Sequence, residues 1–289
     1  MKETRSNSLA LKFLSLFSGI GGFDLGFERA GMICIGQVEI DPLCRSVLEK
    51  NWPAVLRLAD VKTLRGNEFG AVDVICGGDP CPCRSQARSN RRTIHPDLSG
   101  YFLSIIGRIR PSWVVRENVP APDDVDFTAA LEAIGYRAAI IGTNAEAYTA
   151  QSRQRDFIVG CVEASWLREF IELSIFENGP NTYSTRFGTR QVTPALTTHR
   201  TRYDSRDCYI WDGRLRIPDN NERQILAGFP DEWLSGLSEA TVARMCGNAV
   251  VPGIAEVIGK AIILSMHSGS GIINLEAKGE YARDGQRNP

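Results

Sequence analysis

Phe13-Leu14-Ser15-Leu16-Phe17-Ser18-Gly19-Ile20-Gly21-Gly22-Phe23-Asp24-Leu25-Gly26 carries an apolar strand into a glycine turn and out into a helix beginning near Phe23. Strand, glycine turn and helix in that order open an open α/β sheet, and the glycines let the backbone approach a ligand that a β-carbon would block. A second strand, Met32 to Val38, ends at Glu39, twenty positions after Gly19. A carboxylate so placed can accept hydrogen bonds from a ribose diol. The full Gly-x-Gly-x-x-Gly fingerprint is absent. The pattern therefore points to a nucleoside-containing cofactor and leaves a purely structural turn as the plainer reading.

The same grammar recurs downstream. Val72 to Cys76 reads as a buried strand and runs into Gly77-Gly78-Asp79-Pro80-Cys81-Pro82-Cys83-Arg84-Ser85, where Gly-Gly-x-Pro forces a turn. A cysteine on a tight turn after a buried strand can present a nucleophile, although a buried structural cysteine is the commoner fate of a lone one. Ser112 to Pro120 is again strand then loop, with Glu117 at the strand end, and Gln151-Ser152-Arg153-Gln154-Arg155-Asp156 precedes the apolar run Phe157 to Val162. Ligands of open α/β sheets bind outside the carboxyl ends of strands, so Glu39, Cys81 and Glu117 are expected to converge there. Taken singly, Glu117 is a loop charge and Arg153 and Arg155 are solvated surface.

Strands are expected near 12–17, 33–38, 72–76, 112–115, 137–142 and 157–162, with a short one ending at Asp60; helices are expected near 23–31, 41–50, 97–109, 125–134, 221–228 and 251–266. This alternation predicts a doubly wound α/β sheet. With 289 residues, 43% of them hydrophobic, the chain can bury one sizeable core plus a small appendage. Its net charge of −1 creates no global attraction to nucleic acid, but arginines crowd two segments, one after Cys81 and one between 186 and 206. Phosphate contact is the expected use of both. Eight cysteines without paired spacing suit a reducing compartment, and the Cys-x-Cys at Cys81 and Cys83 is not zinc spacing, so no metal is expected. Leu9 to Phe17 reads as the first strand rather than a signal peptide, and no apolar run approaches a membrane span. A cytoplasmic protein acting as a monomer is expected.

Taken in order, these segments resemble the DNA cytosine-5 methyltransferase family. That family's cofactor loop, Phe-x-Gly-x-Gly-Gly, is matched from Phe17 to Gly22. Its catalytic loop, Gly-Gly-Pro-Pro-Cys-Gln-x-Phe-Ser, is matched at Gly77, Gly78, Pro80, Cys81 and Ser85. Its Glu-Asn-Val is matched at Glu117 to Val119, its Gln-x-Arg-x-Arg at Gln151 to Arg155, and its late segments at Leu226 to Pro230 and Gly247 to Pro252. The resemblance covers roughly residues 12 to 266. Three departures fall in the catalytic loop: Asp79 replaces Pro, Pro82 replaces Gln and Arg84 replaces Phe. A carboxylate at Asp79 would oppose thiolate formation, and Arg84 and Arg88 would offset it.

The resemblance implies a doubly wound mixed sheet of the S-adenosylmethionine-dependent methyltransferase type with a small inserted target-recognition region. It divides the chain into catalytic and cofactor-binding residues 1–162, target recognition in 163–206, a return segment 207–267 and a mobile tail 268–289. It implies methylation of carbon 5 of a flipped-out cytosine in double-stranded DNA, as in restriction-modification. Cys81 would be the nucleophile, Glu117 would hold the base, and Arg153 and Arg155 would orient it. Phe17, Gly19, Ile20, Gly21, Gly22, Glu39, Ile40, Asp60, Leu98 and Asn248 would bind S-adenosylmethionine. Arg84, Ser85, Arg88, Arg186, Arg190, Arg200 and Arg202 would contact DNA, and so short a recognition segment suits about two to four base pairs. A tRNA cytosine-5 methyltransferase and a catalytically silent nucleic-acid-binding module remain as rivals. A nicotinamide dehydrogenase would leave Cys81, Glu117 and Arg153 unused.

Overall fold

Four of the five residues of strand β1, Lys12–Leu16, are buried, as are all four of β4, Val74–Gly77, and all six of β5, Trp113–Asn118. Strands covered on both faces read as near-continuous apolar runs, which is why these segments stand out in the sequence. The computed structural model of the chain describes residues 10–80, 97–163, 193–194, 196, 210–211 and 215–268. With β2 (Ile33–Val38), β3 (Leu56–Leu58), β6 (Arg137–Asn144) and β8 (Gln154–Cys161), these strands form a seven-stranded sheet in the order β3-β2-β1-β4-β5-β8-β6. All neighbours are parallel as far as β5, and β8 runs antiparallel to both β5 and β6. Two-residue strands pair outside it: β7 (Gln151–Ser152) with β9 (Thr193–Pro194), and β10 (Ile210–Trp211) with β11 (Leu215–Arg216).

Side chains alternate across a strand, and here the alternation separates two cores. On one face Phe13, Cys76, Trp113, Val115 and Phe157 pack with helices α1 (Gly22–Ala30) and α7 (Pro252–Ser268). On the other, Leu14, Leu16, Ile75, Val114 and Ile158 pack with α3 (Ser99–Ile109) and α4 (Asp123–Ala133). A third cluster joins Ile20 and α2 (Pro42–Asn51) to α5 (Asn220–Leu226) and α6 (Glu239–Asn248). Besides the two-residue strands β7, β9, β10 and β11, which were not expected, three further points differ from the sequence expectation. Strand β5 extends to Asn118, so Glu117 lies within the sheet rather than in a loop. Helix α6 was not anticipated, although Ser238 gives it an ordinary N-cap by accepting from the Thr241 N–H at 3.3 Å. By length and composition Glu239–Met266 could cross a membrane, contrary to expectation, yet Ile254, Ala255, Ile258 and Ile262 within it belong to the core.

Beneath the glycine turn lies a buried carboxylate. Asp24 accepts from Ser15 Oγ at 2.9 Å, Gln37 Nε2 at 2.8 Å and Cys34 Sγ at 3.4 Å. Burial outweighs these donors and raises its pKa from 3.8 to about 6. The folded protein therefore keeps the Asp24 proton over a window in which the unfolded chain has lost it. Stability from this group falls as pH rises through that window, by about 3 kcal/mol in all, and is flat above it. Urea unfolding of the parent and Asp24→Asn at pH about 4 and about 6.5 checks this. The parent should lose stability between the two pH values and the variant should lose markedly less.

Candidate active site

From β1 the chain winds outward to β2 and β3, and then returns to place β4 on the opposite side of β1. Adjacent strands whose connections diverge leave a crevice at their carboxyl ends. The segments leaving β1 and β4 line it. In the first, Phe17, Gly19 and Gly21 all adopt positive φ, of 52°, 56° and 87°. For a bulky residue such as Phe17 that conformation costs on the order of 1–3 kcal/mol, and it persists only where neighbours enforce it. Several do. The Ser18 N–H donates to Val38 O at 3.1 Å, Ser18 Oγ donates to Ser15 O at 2.9 Å, and Trp233 Nε1 donates to Ile20 O at 3.0 Å. Glu39 adds a tether from the end of β2, its Oε2 accepting the Gly19 N–H at 2.7 Å and its Oε1 the Asp41 N–H at 2.8 Å. Burial pushes the Glu39 carboxyl up, and those two N–H groups hold it back.

The glycines of this loop have different reasons. A β-carbon on Gly21 would stand 2.5 Å from the Trp52 ring, and one on Gly22 would stand 2.2 Å from Val250 O, so packing within the protein requires both. At Gly19 the same atom would meet nothing nearer than 4.0 Å, which leaves its open side to the crevice. Gly21 is not among the residues lining the cleft, whereas Ile20 both lines it and belongs to the third core cluster.

The opposite wall is built on β5. Glu117 lines the same cleft as Phe17, Gly19, Gly22, Gly78 and Asn248. Its Oε1 forms an ion pair with Arg155 Nε at 2.9 Å, and a carboxylate oxygen has a second lone pair for another donor. A β-carbon on Gly78 would come within 3.1 Å of Glu117 Oε2, and its absence keeps that oxygen accessible. Burial pushes the Glu117 carboxyl up, while Arg155 and, less strongly, Arg153 hold it back. Arg153 has other partners. It donates through Nη1 to Gly247 O at 2.9 Å and through Nη2 to Ala249 O at 3.0 Å, and burial followed by the charge of Arg155 lowers its pKa to about 9. These two contacts hold the turn that carries Asn248.

The other expected residues are placed as follows. Ile40 is 69% exposed beside Glu39. Asp60 accepts the Lys62 N–H at 2.9 Å and caps a short turn after β3. Leu98 is the N-cap residue of α3 and packs partly on the core. Asp79, expected to burden the thiol with its charge, is instead paired: Arg116 Nε donates to its Oδ1 at 2.5 Å and Nη2 to its Oδ2 at 3.1 Å. Arg116, in a strand, thus supplies one cation against Asp79, and Arg84 and Arg88, expected to do so, lie outside the described residues. Cys81, Arg84, Ser85, Arg88, Arg186, Arg190, Arg200 and Arg202 lie outside the described residues. Sequence reasoning missed Ser18, Phe23, Ala249 and Val250 as cleft residues, since nothing in their residue types marks them.

The chain is 37% identical over 177 residues to the type II methyltransferase M.FnuDI of Fusobacterium nucleatum, covering 58% of this chain and 50% of that protein. It is 26% identical over 297 residues to the type II methyltransferase M2.BsuMI of Bacillus subtilis, covering 86% of this chain and 75% of that one. The chain thus spans about half the length of M.FnuDI and three quarters of M2.BsuMI. Among solved structures, the Entamoeba histolytica methyltransferase EhMeth shares the fold with a TM-score of 0.68 at 15% identity, covering 89% of this chain and 99% of that one. The model of the C-5 cytosine-specific DNA methylases matches residues 11–178 and 166–264, and the chain belongs to that family.

Proposed function

We propose that this protein transfers a methyl group from S-adenosylmethionine to carbon 5 of a cytosine in double-stranded DNA, with residues 163–206 serving target recognition. The observation that carries this reading is that buried Glu117, paired with Arg155, opens into the same cleft as the loop Phe17–Gly22. The cleft suits a nucleoside cofactor. Gly19 leaves open space where a β-carbon would stand, and each Glu39 oxygen, holding one backbone N–H, keeps a second lone pair for a ribose diol. Phe17 would stack on the adenine, Ile40 and Asp60 would meet it from outside the cleft lining, Asp60 through the adenine amino group, and Leu98 and Asn248 would lie toward the methionine end. When bound, S-adenosylmethionine supplies an electrophilic methyl group on a sulfonium sulfur.

The remaining chemistry belongs to the chain. The edge of a paired cytosine is out of reach, so the nucleotide is flipped out at a cost of a few kcal/mol. Carbon 5 is too weak a nucleophile in the intact ring. The Cys81 sulfur adds to carbon 6, and the electron pair displaced from the ring double bond makes carbon 5 nucleophilic. Glu117 holds the exocyclic amino group and shares a proton with ring nitrogen 3, relieving the charge that forms there. Burial pushes its carboxyl up, which favours the protonated form, and the charge of Arg155 beside it keeps the carboxyl oriented. Carbon 5, made nucleophilic in this way, would take up the methyl group that bound S-adenosylmethionine would supply, its sulfur leaving as the neutral thioether. Loss of the carbon-5 proton to a base restores the double bond and expels Cys81 as thiolate.

Glu39→Ala should weaken S-adenosylmethionine binding roughly ten- to hundredfold, the worth of hydrogen bonds to a charged group. Calorimetry on folded variant checks this, and unchanged affinity would remove Glu39 from the cofactor site. Bisulfite sequencing of DNA from cells expressing the protein tests the function itself. Conversion-resistant cytosines should recur in one site of about two to four base pairs. Full conversion of DNA together with newly methylated tRNA would replace this reading with a tRNA substrate.

A further inference from the structure

Asp79 and Arg116 take no part in the chemistry just described, yet they are tied together at the point where the chain leaves β4. Asp79 lies two residues before Cys81. Arg116 grips both of its oxygens, at 2.5 and 3.1 Å, and reaches Asp124 Oδ1 with Nη1 at 3.2 Å. All three side chains are buried, and the guanidinium lies 4.3 Å from the centre of the Phe127 ring. Asn118 Nδ2 donates to Asp79 O at 3.2 Å, so β5 holds the backbone of Asp79 as well as its side chain. Asp124 Oδ2 in turn accepts the Ala121 N–H at 3.0 Å, extending the tie to the start of α4.

A buried ion pair is weak evidence for stability, because apolar residues of similar volume often serve as well. What a forked guanidinium on a carboxylate adds is direction. Arg116 and Glu117 are adjacent on one strand and face opposite sides of the sheet. The same rigid strand therefore presents Glu117 to the cleft on one face and grips the exit of β4 on the other. We propose that Asp79 and Arg116 are positioning residues for methyl transfer, setting the direction in which the chain leaves β4 towards Cys81 and hence its register with Glu117. This inference rests on the function proposed above.

The test uses Asp79→Asn and Arg116→Lys in the full chain. Asparagine keeps the size and one acceptor, and lysine keeps the charge but cannot fork. Labelled methyl transfer to DNA gives kcat and KM, calorimetry gives cofactor affinity, and thermal melts establish that each variant is folded at the assay temperature. Both variants should hold cofactor affinity and its KM within about twofold of the parent while kcat falls ~10- to 100-fold, the expected cost of misplacing a reacting group by about an ångström. If Asp79→Asn does not fold, the neutral pair Asp79→Asn with Arg116→Gln carries the same expectation. A parent-like kcat in Asp79→Asn, or a loss of kcat matched by an equal loss of cofactor affinity, overturns the inference and leaves the proposed function standing. A parent inactive on DNA removes both.

Discussion

Cys81→Ala is expected to abolish methyl transfer while leaving the fold and the affinity for S-adenosylmethionine intact. The loss is total because no other step makes carbon 5 nucleophilic: without addition at carbon 6 the aromatic ring keeps its electrons. The fold is expected to be spared because the residues of β4 that precede Cys81 in the sequence, Val74, Ile75 and Cys76, already fill the two faces of the sheet. Cofactor affinity is spared because Glu39, Gly19 and Phe17 belong to the loop after β1 and the end of β2. Cys83→Ala is the matching control. Gly77 and Gly78 before and Ser85 after set the register on Cys81, so Cys83→Ala should retain most of the activity. Transfer of labelled methyl groups to DNA by both variants, with circular dichroism for the fold, checks the pair. Activity in Cys81→Ala, or its absence in a folded Cys83→Ala, reverses the assignment.

Glu117→Gln is expected to lower kcat by about two to four orders of magnitude, the usual range for a positioned acid or base. Glutamine preserves the size and one carbonyl oxygen, so the exocyclic amino group can still be held. It cannot share a proton with ring nitrogen 3, and the charge formed on addition is left unrelieved. Cofactor affinity should change little, since in the proposed mechanism Glu117 contacts the base and not the cofactor. The substitution also removes the anion that Arg155 pairs with at 2.9 Å. Because the Arg155 side chain is only 15% exposed, the variant should also lose stability, and thermal melts establish that it is folded at the assay temperature. A kcat within about tenfold of the parent would show that Glu117 is not the proton-sharing group.

Much of the fold was legible because its strands are buried on both faces. Phe13 to Leu16, Val74 to Cys76 and Val114 to Val115 are apolar runs that only a covered sheet explains, and glycines follow two of them. Helix α6 was not legible. Its sequence, Glu-Ala-Thr-Val-Ala-Arg-Met-Cys-Gly-Asn, is only mildly amphipathic, and its burial is decided by the distant partners Ile20 and Val47. The site divides in the same way. Glu117 and Arg155 were readable because motif spacing brought them to neighbouring antiparallel strands, where pairing across β5 and β8 sets them close. The carbonyl contacts of Arg153, the packing reasons for Gly21 and Gly22, and the grip of Arg116 on Asp79 depend on what each side chain meets in three dimensions. No local pattern encodes them. Asp79 is the clearest case: by sequence it is a charge beside a thiol, and in the fold that charge is already matched.

The most direct test is covalent capture. DNA synthesised with 5-fluorocytosine in place of cytosine permits addition and methyl transfer but blocks the final elimination, because carbon 5 then carries fluorine where a proton must leave. Incubated with the protein and S-adenosylmethionine, such a duplex should form a denaturation-resistant adduct, and peptide mapping should place it on Cys81. The adduct should fail to form without the cofactor and in Cys81→Ala. An adduct on Cys83, or none in a preparation that binds S-adenosylmethionine, would contradict covalent methylation of DNA through Cys81.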